Sequence, residues 1–385
     1  MKRYFYFYDI NEILIDRYPA QISNVLKENW GLNSFVFIYS EKYQNSIPKK
    51  VPTGSKIYYL PDLSKNKIEA LFVKYPPNSL ITVGQRIPDI WLVALFNKKR
   101  LPTFTLQHGL WSDHLERMPI IQLVFSKSLK FFSYARFALN LCKILNLPYL
   151  KTLREMYKFF YIEGISIQST QYLRSRYLRA KTAFVFDESW DKYYTDKFGY
   201  SKDDLVYIGN PDFLMLKDKD IDKKEDAVCY LCQTLVEDGR YSLKEYEVFL
   251  QKLIDAVTLN SKKKLYLKFH PRSRTENYQI FDLYDNIEIT HDFPICNYYI
   301  GHYTSLLAVS YIITENILIW KLNDHHMPQY FNQFASCITD KPEDLTSFVK
   351  GEIIVNKENN SYKSMSHKEL KDFDPIGKIA EVLVS

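Results

Sequence analysis

Cysteine is scarce, with 5 in 385 residues, and Cys142, Cys229, Cys232, Cys296 and Cys337 are an odd, scattered set. A disulfide framework is therefore excluded, and a reducing compartment is expected. Cys229-Tyr-Leu-Cys232 has the C-x-x-C spacing, but it lies in an apolar strand-like run without a second pair or a nearby histidine. Neither zinc binding nor redox chemistry is expected there. Uninterrupted apolar runs of about twenty residues are missing, which excludes a membrane-spanning helix. The start, Met1-Lys2-Arg3-Tyr4-Phe5, has no small-residue cleavage site behind an apolar core. No secretory signal is expected, so the location is read as cytoplasmic. No Gly-x-Gly-x-x-Gly follows any strand-like run, which argues against a dinucleotide-dependent dehydrogenase. Asp218, Asp220 and Asp222 are spaced as D-x-D-x-D, but inside a lysine-rich run rather than after an apolar strand. No metal site is expected from them.

What is present is globular: 46% hydrophobic and 25% charged residues, in a chain long enough for two ordinary domains. Aromatic content is 16%, mainly Tyr and Phe, which suits sugar-contacting or interfacial surfaces. The net charge of +6 permits anionic ligands or an anionic membrane surface. It falls short of a nucleic-acid footprint, so no nucleic-acid partner is expected.

Strand and helix signals alternate from the start. Residues 34–40, 56–60, 80–83 and 102–106 read as strands, and 20–30 and 88–97 as helices between them. Further strands are expected at 183–186 and 205–208. Such alternation implies parallel βαβ units. Residues 1–212 are thus read as an N-terminal Rossmann-like domain, 213–226 as a charged linker, and 227–385 as a C-terminal domain that repeats the pattern. In that second domain strands are expected at 228–234, 264–269, 287–290, 297–300 and 317–320. Ser242 with Glu245 forms a capping box that opens a helix running to about 259. Another helix is expected at 306–313, and a last one at 378–384 that packs back on the first domain. Residues 119–167 stand apart as apolar and aromatic, with Lys127, Lys130, Arg136, Lys143, Lys151, Arg154 and Lys158 interleaved and acids nearly absent. A basic aromatic helix of this kind can lie in a membrane interface, so peripheral attachment to the inner face of the plasma membrane is part of the reading.

The chemistry gathers at strand exits. Leu265, Leu267 and Phe269 alternate with Tyr266 and Lys268 until His270-Pro271, where proline ends the ladder. The strand thereby delivers His270, Arg272 and Arg274 to its carboxyl end, where open parallel sheets bind ligands. Imidazole and guanidinium groups there suit a phosphate leaving group. Another exit carries Glu237-Asp238-Gly239. A third carries Gly301-His302-Tyr303-Thr304-Ser305, with Thr304 and Ser305 at a helix N-terminus that favours an anion. In the first domain, Gln107-His108-Gly109 follows a strand, and glycine allows a sharp turn there. Two Rossmann-like domains facing across a cleft would collect these groups for transfer from a nucleotide-activated donor.

Residues 228–239 (Val-Cys-Tyr-Leu-Cys-Gln-Thr-Leu-Val-Glu-Asp-Gly), then Lys-Phe-His-Pro-Arg and Gly-His-Tyr-Thr-Ser, resemble the bacterial sialyltransferases of capsule and lipooligosaccharide synthesis. The resemblance spans mainly residues 227–313. It implies an α/β GT-B fold, a CMP-sialic acid donor and inversion at the anomeric carbon, with a glycan or glycolipid acceptor and no cofactor or metal. By that analogy His270 serves the departing CMP phosphate, with Thr304, Ser305, Arg272 and the flanking Gly239, Pro271 and Gly301 around the donor. The polysialyltransferases place their acidic-Gly base motif in the first domain, where this chain has Gln107-His108-Gly109. That element also resembles the teichoic-acid CDP-glycerol polymerases and the capsule Kdo transferases. The base is therefore assigned to His108, whose type titrates near neutrality. Asp238, with its neighbour Glu237, is the alternative. A polyol phosphate transferase, a Kdo transferase and an inactive glycan- or lipid-binding scaffold stay open as alternatives.

Overall fold

The computed structural model describes residues 2–42, 47–107, 109, 148, 150, 178–237, 241–270, 273–322, 329–353 and 365–385. They form two compact units. Residues 2–107, 178–211 and 374–385 belong to the first, and Asp212–Phe373 to the second. The basic aromatic segment 119–167 lies outside the described residues.

The first unit contains β1 (Tyr4–Tyr8), α1 (Glu12–Ile15), α2 (Tyr18–Trp30), β2 (Phe35–Tyr39), β3 (Lys56–Tyr59), α3 (Lys65–Lys74), β4 (Pro77–Val83), α4 (Ile87–Lys98), β5 (Thr103–Leu106), β6 (Thr182–Val185), α5 (Asp191–Phe198) and β7 (Leu205–Tyr207). Its seven strands are parallel, in the order β3-β2-β1-β4-β5-β6-β7. The strand nearest the N-terminus, which the sequence reading passed over, sits between β2 and β4, with Tyr6 level with Val36 and Leu80. Its five aromatics, Tyr-Phe-Tyr-Phe-Tyr, are buried on both faces apart from the half-buried first one, as a central parallel strand requires. Tyr6 meets Phe72 and Phe96 edge-on and donates its hydroxyl hydrogen bond to the Tyr75 carbonyl at 2.7 Å, so a polar tip is satisfied inside an apolar core. Helix α2 ends at Gly31, whose φ of +66° is the left-handed cap that a side chain would strain.

The second unit contains β8 (Glu225–Leu231), α6 (Leu243–Ile254), β9 (Lys264–Lys268), β10 (Ile287–Thr290), β11 (Cys296–Gly301), α7 (Leu306–Ile313), β12 (Ile317–Trp320), β13 (Cys337–Thr339), α8 (Pro342–Val349) and α9 (His367–Asp372). The order is β10-β9-β8-β11-β12-β13, again parallel. The capping box forms as expected: Glu245 N donates to Ser242 Oγ at 3.2 Å, and Ser242 N donates to Glu245 Oε2 at 2.9 Å. A wider helical turn, Asp255–Asn260, continues α6. Within the stretch 213–226, Phe213, Leu216 and Ile221 are buried in this unit's core. There β8 already begins at Glu225, whose N–H bonds to the Ile295 carbonyl. The exposed charges of Glu225 and Asp226 give the start of this strand a linker-like composition. The chain closes with α10 (Pro375–Val384), which packs on α2 of the first unit and buries Ile376, Ile379, Ala380 and Leu383.

Candidate functional site

In the second unit β8 and β11 lie side by side, but the chain leaves β8 toward β9 and leaves β11 toward β12. That reversal makes the β8/β11 carboxyl edge the topological switch point, where doubly wound sheets take ligands. The exits of β9, β8 and β11 are consecutive along this edge. Two strand spacings separate the outer pair, about 10 Å, the scale of a nucleotide phosphate with its neighbouring groups.

From β9 comes half-buried His270, one residue beyond Phe269, whose N–H still bonds to the Thr290 carbonyl of the sheet. The His270 carbonyl accepts from Ser273 N at 2.9 Å. The β11 exit carries Gly301, Thr304 and Ser305. A Cβ on Gly301 would stand 3.2 Å from Leu307 Cδ2 and 3.3 Å from Thr304 Cγ2, so glycine lets α7 start close against the strand. Thr304 Oγ1 accepts from Leu306 N at 3.3 Å, while Ser305, the N-cap residue, makes no side-chain cap bond. Ser305 therefore keeps its hydroxyl at the positive end of an eight-residue helix.

Glu237, on the β8 exit, uses one carboxylate oxygen to join two loops. Its Oε1 accepts from Arg274 N at 2.8 Å and Asn277 Nδ2 at 3.0 Å, tying the β8 loop to the β9 loop. His108, Asp238, Gly239, Pro271 and Arg272 lie outside the described residues. Gly109 has a φ of +64°, the left-handed conformation that its position after His108 suggested.

Sequence reasoning passed over two arrangements. The first surrounds His302, which is fully buried. Its Nδ1 lies 2.9 Å from the Trp320 carbonyl and its Nε2 3.1 Å from the Tyr230 hydroxyl. A carbonyl can only accept, so Nδ1 carries the proton and Nε2 takes the Tyr230 hydrogen. Burial pushes the imidazole pKa down to about 4, against the opposing pull of the Trp320 carbonyl, so the ring is neutral. The hydroxyls of Tyr230, Tyr246 and Tyr278 follow in a chain at 3.0 and 3.1 Å. This network fixes β8, α6, β11 and β12 beneath the candidate site. Histidine inside the Gly-His-Tyr-Thr-Ser motif was the available signal.

The second arrangement lies in the first unit, at its own switch point between β1 and β4. Arg86 Nη2 donates to Asp9 Oδ1 at 2.8 Å and to the Val83 carbonyl at 2.6 Å, while its Nε donates to Asp89 Oδ2 at 2.8 Å. Burial raises the pKa values of both carboxyls above the ordinary range, partly offset by the guanidinium. Burial alone would lower Arg86, but the two carboxylates more than reverse it.

Cys229 and Cys232 are buried free thiols raised by burial. Residues three apart on extended backbone point to opposite faces, so the C-x-x-C spacing brings no ligand pair together. Among the described residues no His, Cys, Asp or Glu group is arranged to hold a metal, and no helix is long and apolar enough to cross a membrane.

Two doubly wound parallel units, with seven and six strands, define a fold of the GT-B type. Solved structures share it over the whole chain. The UDP-GlcNAc 2-epimerase of Methanocaldococcus jannaschii in complex with UDP-GlcNAc and UDP is similar at 14% identity and a TM-score of 0.52, covering 100% of this chain and 99% of that one. The glycotransferase of kitacinnamycin is similar at 10% identity and a TM-score of 0.55, covering 100% and 99%. The wall teichoic acid polymerase TagF, in a structure soaked with CDPG, is similar at 13% identity and a TM-score of 0.52, covering 100% and 88%. No family model and no curated protein matches the chain.

Proposed function

We propose that this chain is an inverting glycosyltransferase that moves sialic acid, or a related nonulosonic acid, from a CMP-activated donor to a hydroxyl of a surface glycan or glycolipid. The observation that carries the reading is the second unit's carboxyl edge, where His270 and the uncapped Ser305 beside Thr304 stand on strand exits flanking that of β8. The ordered acidic-Gly, His-Pro and Thr-Ser motifs supply the donor class.

In this mechanism Thr304, Ser305 and the helix N-terminus hold the donor phosphate, aided by Arg272, and Gly239, Pro271 and Gly301 complete the donor-binding set. His270 hydrogen-bonds or protonates the departing CMP phosphate. The acceptor hydroxyl attacks the oxocarbenium-like carbon as its proton passes to a base. That base is His108, with Asp238 the alternative. Its neighbour Glu237, whose Oε1 bridges two loops, stays with Asp238 in that alternative. A CMP-activated sugar has one phosphate, so no metal is needed to bridge two. The reaction takes place at the inner face of the plasma membrane, with residues 119–167 touching anionic lipid. Absence of co-sedimentation with anionic vesicles would remove that last element.

A second reading, transfer of a polyol phosphate from CDP-glycerol, is favoured by the likeness to TagF. A thermal-shift screen with CMP, CDP, UDP and GDP separates the classes, since a ligand that binds the native state alone raises its melting temperature. The proposal expects stabilisation by CMP, and CMP release from CMP-sialic acid with a galactoside acceptor that is lost in His270→Ala. Stabilisation by CDP-glycerol with none by CMP-sialic acid transfers the case to the second reading. Stabilisation by uridine nucleotides alone overturns both.

A further inference from the structure

The last register pair between β11 and β12 is Gly301 with Ile319. One residue further along stand His302 and Trp320, and there a side chain takes over from the backbone ladder. His302 Nδ1 donates to the Trp320 carbonyl at 2.9 Å. The next residue adds a second tie, since the Tyr303 hydroxyl accepts from Leu322 N at 3.4 Å. Both residues are buried, His302 at 0% exposure and Tyr303 at 8%. Their settings differ. The His302 ring centre lies 4.9 Å from that of Phe249 on α6, and Nε2 takes the hydrogen of Tyr230 on β8 at 3.1 Å. The Tyr303 ring centre lies 5.8 Å from that of Phe331. The β11 exit is thus tied twice in succession to the end of β12 and the residues after it. Thr304, Ser305 and the start of α7 follow at once.

An apolar side chain would bury position 302 equally well, with no polar group to satisfy. It would not set a direction. Two hydrogen bonds with opposite roles, one donated and one accepted, fix the plane of the ring and with it the backbone that carries it. On the other side of the ladder's end, Gly301 lets α7 start close against the strand. We propose that His302 and Tyr303 are positioning residues, which clamp the β11 exit so that Thr304 and Ser305 keep a fixed place for the donor phosphate. The donor phosphate rests on the transferase reading, while the clamp rests on the hydrogen bonds alone.

The test uses the full chain. His302→Leu fills the space but makes neither bond, His302→Asn keeps a donor for the Trp320 carbonyl, and Tyr303→Phe removes only the hydroxyl. Tyr278→Phe is the control, because it takes a hydroxyl from the buried tyrosine chain and none of the exit's own bonds. Amide hydrogen exchange on peptides covering residues 301–307 should rise in His302→Leu and Tyr303→Phe, and stay near the natural rate in His302→Asn and Tyr278→Phe. The dissociation constant for CMP, by calorimetry, should weaken about tenfold in His302→Leu and about threefold in Tyr303→Phe, whose bond is longer. In turnover KM for CMP-sialic acid should rise while KM for the galactoside stays. A merely structural role would lower only the active fraction, and so the apparent kcat. Should His302→Leu not fold, Tyr303→Phe carries the same comparison. Equal CMP binding by the natural protein and these two variants overturns the proposal and leaves the transferase reading standing. So does a Tyr278→Phe protein that loses as much CMP affinity as they do. Faster exchange in His302→Leu, in a protein that no cytidine nucleotide stabilises, would uphold the clamp and sink the transferase reading.

Discussion

Acidification should unfold this protein partly through His302. The ring is fully buried and its pKa is pushed down to about 4, whereas an unfolded chain restores about 6.5. Between those two values the unfolded state binds a proton that the native state refuses. Stability therefore rises with pH through the window and is fully present above 6.5. A difference of about 2.5 pH units at 1.36 kcal/mol each sets a ceiling of roughly 3.4 kcal/mol, reached below pH 4. By pH 5 the loss should be about 2 kcal/mol. Other groups also titrate, so the quantity to read is the difference between the natural protein and His302→Asn. That variant keeps a donor toward the Trp320 carbonyl but has no proton to gain. Urea unfolding at pH 7 and pH 5, followed by tyrosine and tryptophan fluorescence, should show the natural protein losing about 2 kcal/mol more than the variant. Equal losses would refute the argument. So would an NMR titration, among the 8 histidine rings, that places the His302 midpoint above pH 6.

Further outcomes follow from the same geometry. Gly301→Ala places a methyl 3.2 Å from Leu307 and 3.3 Å from Thr304, so α7 must shift. The expected cost is about 1–3 kcal/mol with a smaller CMP-induced thermal shift, and an unchanged shift would contradict the placement of the donor there. Glu237→Ala frees the Arg274 amide and Asn277, which should cost about 1 kcal/mol in urea unfolding. Glu237→Gln keeps an acceptor oxygen and should retain most turnover, whereas complete loss would make Glu237 the base. Removal of residues 374–385 strips Ile376, Ile379, Ala380 and Leu383 from α2 and should lower the melting temperature of the first unit, measured by calorimetry, while leaving the second unit's transition in place.

Local signals along the chain determined a good deal. Short apolar runs bounded by turn signals marked eleven strands, and each of them is a strand of the structure within about three residues at either end. The strand before His270 ends at Lys268, close to where expected, Ser242 with Glu245 started α6, and the Gly301–Ser305 turn led into α7 at Leu306. Those properties are settled by neighbours a few residues away. Tertiary structure decided the rest. Tyr4–Tyr8 was passed over although it is as apolar as β2, and its place beside β4, which fixes the first switch point, is set by the sheet. Asp9 and Arg86 are 77 positions apart and meet because parallel strands carry them to one edge. His302 stands in a polar motif yet is sealed from water by partners as distant as Tyr230. Glu237 reads as a free acid, and the folded loops turn its Oε1 toward Arg274 and Asn277. Propensity acts over a turn or a strand, whereas strand order, burial and the pairing of charges depend on contacts that form after the chain has crossed over itself.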